Sequence, residues 1–286
     1  MRTLTLLFLI TISLSCYSQI GILGNPTDAS TRIEKLKEST VKILINNNKS
    51  GTGFFVSKNG EIVTNFHVVF TENTVTKNSI FGIQVLSKIQ AVTYQNDTLD
   101  LDIKSSLMFQ NQVNEIIAWD YLVLKTKNKY AVSNYLDFGS TKDTPEGTTV
   151  YTCGFPLDMN DPFFSTGILS TKFSEDVTIN NSKISTDRLW IDVTINKGNS
   201  GGALVALGEK PEDDKVIGIT SFIITPFSKE LNVLNEYISK IGNNADVAIM
   251  GINFLEYARI INTTISSNSV GISGAMSIDE IKRKLK

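Results

Sequence analysis

The chain contains a single histidine, and it lies far upstream of a glycine-rich turn that presents a serine. His67 stands in the segment TNFHVV, and Ser200 stands in the segment GNSGG. A serine hydroxyl is a weak nucleophile unless a base of near-neutral pKa lies within hydrogen-bond reach, so one histidine leaves one candidate base. Between the two, Asp120 opens an apolar run in AWDYLVLK, where a carboxylate would be screened from water and could orient the imidazole.

The order His67, Asp120, Ser200 restricts the fold. These three residue types recur in the order His-Asp-Ser in chymotrypsin-like double barrels, Asp-His-Ser in subtilisins and Ser-Asp-His in α/β-hydrolases. The segment GNSGG also fits the G-x-S-x-G pattern of α/β-hydrolases, but that fold needs a histidine after the serine and none follows Ser200. The order therefore favours the double barrel.

These segments resemble the trypsin/chymotrypsin clan of serine proteases. Because the chain lacks pairs of cysteines, it most resembles the bacterial HtrA-like branch of that clan. Further segments match that family in order along the chain. They are SGTGFFV at 50–56, TCGFP at 152–156, STGILS at 165–170, DVTINKG at 192–198 and VIGITSF at 216–222. The resemblance therefore covers roughly residues 39 to 224.

The resemblance implies an all-β, chymotrypsin-like fold of two packed six-stranded antiparallel Greek-key β-barrels with a C-terminal helix. We expect a signal peptide at 1–18, a protease domain at 19–262 and a tail at 263–286. The first barrel is expected at about 39–130 and the second at about 145–252.

Short β-like runs give the expected strands, and helical periodicity gives the expected helices. The expected strands are 41–45, 53–56, 61–64, 81–86, 89–94 and 119–124 in the first barrel, and 148–153, 167–172, 189–195, 203–207, 216–224 and 247–252 in the second. Helices are expected at 27–38 and 254–261. Two insertions, at 95–117 and at 226–246 with a helix at 229–241, are either functional lids or surface loops.

The resemblance also assigns roles around the triad. The backbone N–H groups of Gly198 and Ser200 match the donors of an oxyanion hole. Thr194 matches the base of the primary specificity pocket, and the edge strand Ser221-Phe222-Ile223 matches the strand that pairs with substrate. Because Thr194 carries no charge and Ile223 is branched, cleavage is expected after small or medium apolar residues.

Other interpretations remain open at this point. Asp97, Asp100 and Asp102 are rivals of Asp120, although they lie in a polar stretch that favours an exposed loop. Cys153 lies among bulky and small neighbours, which favours a buried thiol over a nucleophile. The function expected is that of a serine endopeptidase working through an acyl-enzyme, and the alternative is a catalytically silent binding protein of the same fold.

Composition narrows the partners. The chain has 286 residues, 41% hydrophobic and 20% charged, with a formal net charge of −2, which is ordinary for a globular protein and does not favour nucleic acid. We expect polypeptide substrates, no cofactor and no metal, since the sole imidazole is already assigned. The oligomeric state does not follow from the sequence.

The N-terminal segment predicts export. Arg2 precedes an apolar run at 4–14 and then small residues, which reads as a secretory signal too short to span a membrane. A secreted or periplasmic protein beginning near Gln19 is expected, and lipidation at Cys16 is the alternative. At the other end, Ser277 and Glu280 form an S-x-x-E capping signature before a short basic helix. The tail is too short for the PDZ domain that HtrA-like proteins often carry.

Overall fold

The computed structural model describes residues 23–70, 75–79, 82–85, 87–104, 110–156, 159–223, 236, 248–249, 252–253 and 272–285. In the first half of the chain the elements are α1 (Pro26–Ser39), β1 (Thr40–Ile45), β2 (Asn48–Phe55), β3 (Glu61–Thr64), α2 (Phe66–Val69), β4 (Val75–Ser79), β5 (Gly82–Val85), β6 (Ile89–Val92), β7 (Thr98–Ile103), α3 (Gln110–Ala118) and β8 (Leu122–Thr126). In the second half they are β9 (Thr149–Gly154), β10 (Phe163–Ile179), β11 (Ser182–Asp192), β12 (Ala203–Ala206), a 3₁₀ turn (Pro211–Asp213), β13 (Lys215–Ile223), β14 (Ala248–Ile249), β15 (Ile252–Asn253), β16 (Ile272–Ser277) and α4 (Asp279–Leu285).

Two closed six-stranded antiparallel barrels form the body of the described chain. Around the first barrel the order is β1-β2-β3-β8-β7-β6, and around the second it is β9-β10-β11-β16-β13-β12. In each barrel three strands follow one another, and the other three return in reverse order. The expected double barrel is confirmed, and both halves share one topology.

Alternating strand residues fill the barrel interiors. Val41, Ile43 and Ile62 are fully buried in the first barrel, as are Leu169 and Leu189 in the second. A single apolar cluster runs from the first barrel into β9, β12, β13 and α4 of the second. Continuous packing of this kind fixes the two barrels against each other, so residues on their facing loops hold defined positions.

Paired asparagines close two of the hairpins. Asn46 and Asn47 between β1 and β2 have φ of 52° and 66°, and Asn180 and Asn181 between β10 and β11 have φ of 48° and 63°. Two successive residues with positive φ are the requirement of the type I′ turn, which asparagine tolerates better than most residues. The second hairpin is long, with paired residues from Ile168 and Asp192 out to Ile179 and Ser182.

Helix α1 confirms the helix expected at 27–38. The Asn25 side chain caps it by accepting from the Asp28 backbone N–H at 3.0 Å. Arg32 on its buried face donates to Asp214 Oδ2 at 2.8 Å, just before β13. Tyr151 Oη donates to the same oxygen at 2.6 Å. A buried charge needs such partners, and this pair attaches the N-terminal helix to the second barrel.

The expected strand at 81–86 is wrong as a barrel strand. Strand β5 pairs with β4 in a separate two-stranded sheet, and β7 takes its place in the first barrel. The stretch at 95–117 is therefore not one insertion, because it holds β7 and α3. The sequence TLDLDI alternates apolar and polar residues with the period of a half-exposed strand, and its acids concealed that pattern.

The second barrel also differs from expectation at its sixth strand. The run at 247–252 was expected there, but β14 and β15 pair with each other. The position is filled by β16, which lies within the expected tail at 263–286, between β11 and β13. Its small residues suit that place, since Gly274 lies opposite Trp190 and Phe222. The capping signature is followed by α4, as expected.

Several expectations fall outside the described residues. They are the signal segment at 1–18 with Cys16, the helix at 254–261 and nearly all of the insertion at 226–246. No helix in the described part of the chain is long and apolar enough to cross a membrane.

Candidate active site at the junction of the barrels

His67 lies on the one-turn helix α2, directly after β3. Asn65 occupies the position before this helix and is fully buried, but its side chain makes no cap to the helix. Its Nδ2 instead donates to the backbone oxygen of Asp120 at 2.8 Å. Asn65 thus links the histidine segment to the aspartate segment, a contact that the sequence analysis missed.

Asp120 lies two residues after the end of α3. The backbone N–H of Trp119 donates to Glu115 O at 2.8 Å, and that of Tyr121 donates to Ile116 O at 3.3 Å. Asp120 itself has φ of 44°, a left-handed conformation that terminates helices and is usually taken by glycine or asparagine. The helix end therefore sets the backbone from which the carboxylate projects.

His67 and Asp120 are in direct contact. His67 Nδ1 lies 2.8 Å from Asp120 Oδ2 and 3.0 Å from Oδ1. The His67 backbone N–H also donates to Oδ1 at 3.1 Å. A carboxylate at Nδ1 favours the tautomer with the proton on that nitrogen, which leaves Nε2 as an acceptor. The His67 side chain is 48% exposed, so about half of it faces solvent.

The rival aspartates have other partners. Asp97 accepts from Tyr130 Oη at 3.0 Å and Asp100 accepts from the Gln90 amide at 2.8 Å. Asp102 forms an exposed ion pair with Lys127 at 3.2 Å. The structure therefore brings Asp120 to His67 and places these three on or beside β7.

Ser200 lies in a tight turn at the start of the second barrel's β12. Gly198 and Gly201 have φ of 103° and 91°. A Cβ at Gly201 would lie 2.0 Å from the backbone oxygen of Thr52, so no larger residue fits there. The backbone N–H of Thr52 donates to Ser200 O at 2.9 Å. The Ser200 turn is thus held against β2 of the first barrel.

Ser221 joins the serine to the aspartate. Ser200 Oγ donates to the backbone oxygen of Ser221 at 3.2 Å, and Ser221 Oγ donates to Asp120 Oδ2 at 2.6 Å. Within the described part of the chain, the Ser200 hydroxyl makes no hydrogen bond to His67. Ser221 was expected only as a substrate-binding residue, and nothing in the sequence indicated its contact with Asp120.

The expected oxyanion donors are the backbone N–H groups of Gly198 and Ser200. Neither donates to an atom of the described residues. The carbonyl of Gly198 accepts from Thr52 Oγ1 at 2.7 Å, which fixes the peptide that follows it. Two unused N–H groups in a braced turn are suited to bind a developing negative charge.

The expected specificity residues are only partly described. Thr194 is exposed, and the backbone of Phe222 and Ile223 continues β13 beside Gly274 and Ser273 of β16. The side chains of Phe222 and Ile223 lie outside the described part. Cys153 is buried, and burial raises the pKa of its thiol to about 12, which keeps it protonated and unreactive.

Two closed six-stranded barrels, with a histidine and an aspartate in contact on the first, are the architecture of a chymotrypsin-like protein. The model of the trypsin-like peptidase domain matches residues 51–219, which is more than half of the chain. The chain therefore belongs to the trypsin-like peptidase family, and the resemblance expected from its sequence is confirmed.

Its relatives include HtrA proteins. The chain is 26% identical over 183 residues to a probable periplasmic serine endoprotease DegP-like of Rickettsia prowazekii (strain Madrid E), covering 64% of this chain and 30% of the relative. It is 30% identical over 178 residues to serine protease HTRA1 of Xenopus tropicalis, covering 62% and 32%. The chain thus spans about a third of the length of these relatives. The solved HtrA-type protease AlgW with tripeptide has the same fold, with a TM-score of 0.55 at 17% identity over 89% of this chain and 61% of that one.

Proposed function

We propose that this chain is a serine endopeptidase that hydrolyses polypeptides through Ser200, His67 and Asp120. The observation that carries the proposal is the 2.8 Å contact between His67 Nδ1 and Asp120 Oδ2 in a member of the trypsin-like peptidase family. It leaves Nε2 of the sole histidine as the base available to a serine across the cleft.

In the proposed acylation, Ser200 Oγ attacks a peptide carbonyl carbon while His67 Nε2 takes the hydroxyl proton. The carbonyl π electrons move to oxygen, and the N–H groups of Gly198 and Ser200 bind that oxyanion. His67 then returns the proton to the leaving amine as the C–N bond breaks, which gives an acyl-enzyme. In deacylation, water attacks the acyl carbon while His67 Nε2 takes its proton. The ester C–O bond then breaks as His67 returns the proton to Ser200 Oγ, and the acid is released.

Asp120 supports both steps by holding His67. Its carboxylate accepts from Nδ1 and stabilises the imidazolium that forms when the ring takes a second proton. Ser221 Oγ and the His67 backbone N–H fix the same carboxylate. Before the attack, the Ser200 hydroxyl must break its hydrogen bond to the Ser221 carbonyl. Rotation about χ1 to another staggered rotamer achieves this.

The substrate class and the location of the protein are further parts of the proposal. The edge of β13 at Ser221 would pair with an extended polypeptide, and the uncharged Thr194 suits small or medium apolar residues before the cleaved bond. The signal-like segment at 1–18 supports export, as does the periplasmic description of the Rickettsia relative.

The alternative is a silent binding protein, and the Ser200 hydrogen bond to the Ser221 carbonyl favours it. Incubating the purified protein, from residue 19 onward, with unfolded casein separates the two. We expect cleavage that disappears in Ser200→Ala, whose backbone turn is retained. Binding of casein without cleavage would establish the alternative, and equal cleavage by Ser200→Ala would refute the mechanism.

A further inference from the structure

The C-terminal helix α4 reaches across to the first barrel. It follows β16 of the second barrel, where the Ile278 backbone N–H donates to Ile217 O at 3.1 Å. Lys284, in its last turn, places Nζ 2.6 Å from Glu115 Oε2 on α3. The Lys284 side chain is only 18% exposed, so this ion pair is partly shielded from water.

Glu115 lies one turn before Asp120. Its own backbone oxygen accepts from Trp119 N–H, the bond that closes the end of α3. Asp120 then takes its left-handed backbone conformation directly after that turn. Only Trp119 lies between Ala118, the last residue of α3, and Asp120, so a shift of the helix end would move the Asp120 carboxylate.

A second contact holds α3 to the second barrel. At the tip of the β10–β11 hairpin, Asn180 Nδ2 donates to Asn114 Oδ1 at 3.0 Å. Two neighbouring residues of α3, Asn114 and Glu115, thus bind two separate elements of the second barrel. Contacts at two points resist rotation of a helix better than one.

The surroundings of Tyr121, the residue after Asp120, bring acidic residues of α3 and α4 together. Tyr121 is buried next to Asp120, and burial raises the pKa of its hydroxyl, with the charges of Glu280 and Glu115 raising it further. Glu280 is on α4 and also lies 3.8 Å from Lys284. The carboxylates of α3 and α4 therefore face each other beside the Asp120 segment, and Lys284 bridges them.

We propose that Lys284 and Glu115 are positioning residues that hold Asp120 in register with both barrels. Asp120 must contact His67 on the first barrel and Ser221 on the second at the same time. The ion pair ties the end of α3 to the second barrel and so fixes this double contact. As a route to catalysis, the inference rests on the proposed function.

The test uses the fact that His67 is the sole histidine. In protein labelled with [¹⁵N]histidine, the Nδ1–H proton held by Asp120 gives one downfield NMR signal. Lys284→Met keeps the apolar stem and removes the charge, and we expect the signal to shift and broaden. Glu115→Gln should do the same, and the double variant should add nothing to either single change. Lys284→Arg should restore the native signal.

Arg283→Met is the matched control. Arg283 is the preceding residue of α4, with a side chain 67% exposed and an ion pair to Glu280 within its own helix. Its substitution should leave the signal unchanged. In peptide hydrolysis, Lys284→Met should lower kcat by about 10-fold with little change in KM, because misplacing a catalytic group acts on the chemical step.

The outcomes separate the two proposals. An unchanged His67 signal in Lys284→Met and Glu115→Gln would overturn the positioning role, whatever the activity. An equal change in Arg283→Met would overturn it too, since the effect would then be general to α4. If the variants change the His67 signal as expected but the wild-type protein has no hydrolytic activity, the positioning role stands and the proposed function is rejected.

Discussion

The two sides of the cleft hold their functional groups by different means. Asp120 of the first barrel is held by side chains, those of Asn65 and His67 from its own barrel and that of Ser221 from the second. On the second barrel, the backbone does it, since Ser200 lies in a turn braced by Thr52 and by glycine at 201. Removing one side chain from the Asp120 network leaves its other contacts in place. Adding a Cβ at Gly201 instead displaces the backbone of the whole turn.

The largest expected effect comes from the side-chain network. Asp120→Asn should leave a folded protein whose kcat is reduced by about 10⁴-fold, because the amide favours the wrong imidazole tautomer. Peptide hydrolysis and thermal unfolding measure both. Asp102→Asn is the control, since Asp102 is 68% exposed and paired with Lys127. Equal losses in the two variants, or none in Asp120→Asn, would contradict the role of Asp120.

The backbone side is tested by a pair of glycines. Gly201→Ala adds overpacking by a Cβ 2.0 Å from Thr52 O, about 1–3 kcal/mol, to the cost of about 1–2 kcal/mol for a left-handed backbone. Gly147 also has positive φ, 87°, but nothing lies within 4 Å of its added Cβ. Gly147→Ala should therefore cost only about 1–2 kcal/mol from the left-handed backbone.

Denaturant unfolding and hydrolysis rates together decide this comparison. Gly201→Ala should lose both stability and activity, and Gly147→Ala should keep its activity. Similar free energies of unfolding for the two variants would show that the Ser200 turn can move away from Thr52.

The smallest effect is expected at Cys153, a side chain of the second barrel that contributes only packing. Burial raises its pKa to about 12, so the thiol should not react with a disulfide reagent at pH 8 until the protein is unfolded. Cys153→Ala should leave kcat/KM unchanged. Rapid reaction of the native protein, or loss of activity in Cys153→Ala, would contradict a packing role.

Sequence reasoning worked where residue types are rare or patterned. One histidine and one glycine-rich serine turn left few ways to arrange the chemistry, and the contact between His67 and Asp120 agrees with that expectation. Helix α1 could be predicted because its apolar spacing and its Asn25-Pro26 start are both local signals.

The sequence did not predict strands of unusual composition or contacts between residues far apart in the chain. The acids of β7 suggested a loop, although its leucines alternate correctly for a strand. The middle of β16, Ser273-Gly274-Ala275, is made of small residues without an apolar pattern, and Gly274 lies opposite Trp190. The pair Lys284 and Glu115 is separated by 169 residues, and nothing local marks either one.

The most direct test of the account is to treat the purified protein with a fluorophosphonate probe and locate the label by peptide mass mapping. The account predicts one labelled residue, Ser200, and loss of labelling in Ser200→Ala and in His67→Ala, because the hydroxyl reacts only with a base to take its proton. Labelling of another serine, or undiminished labelling in His67→Ala, would contradict it.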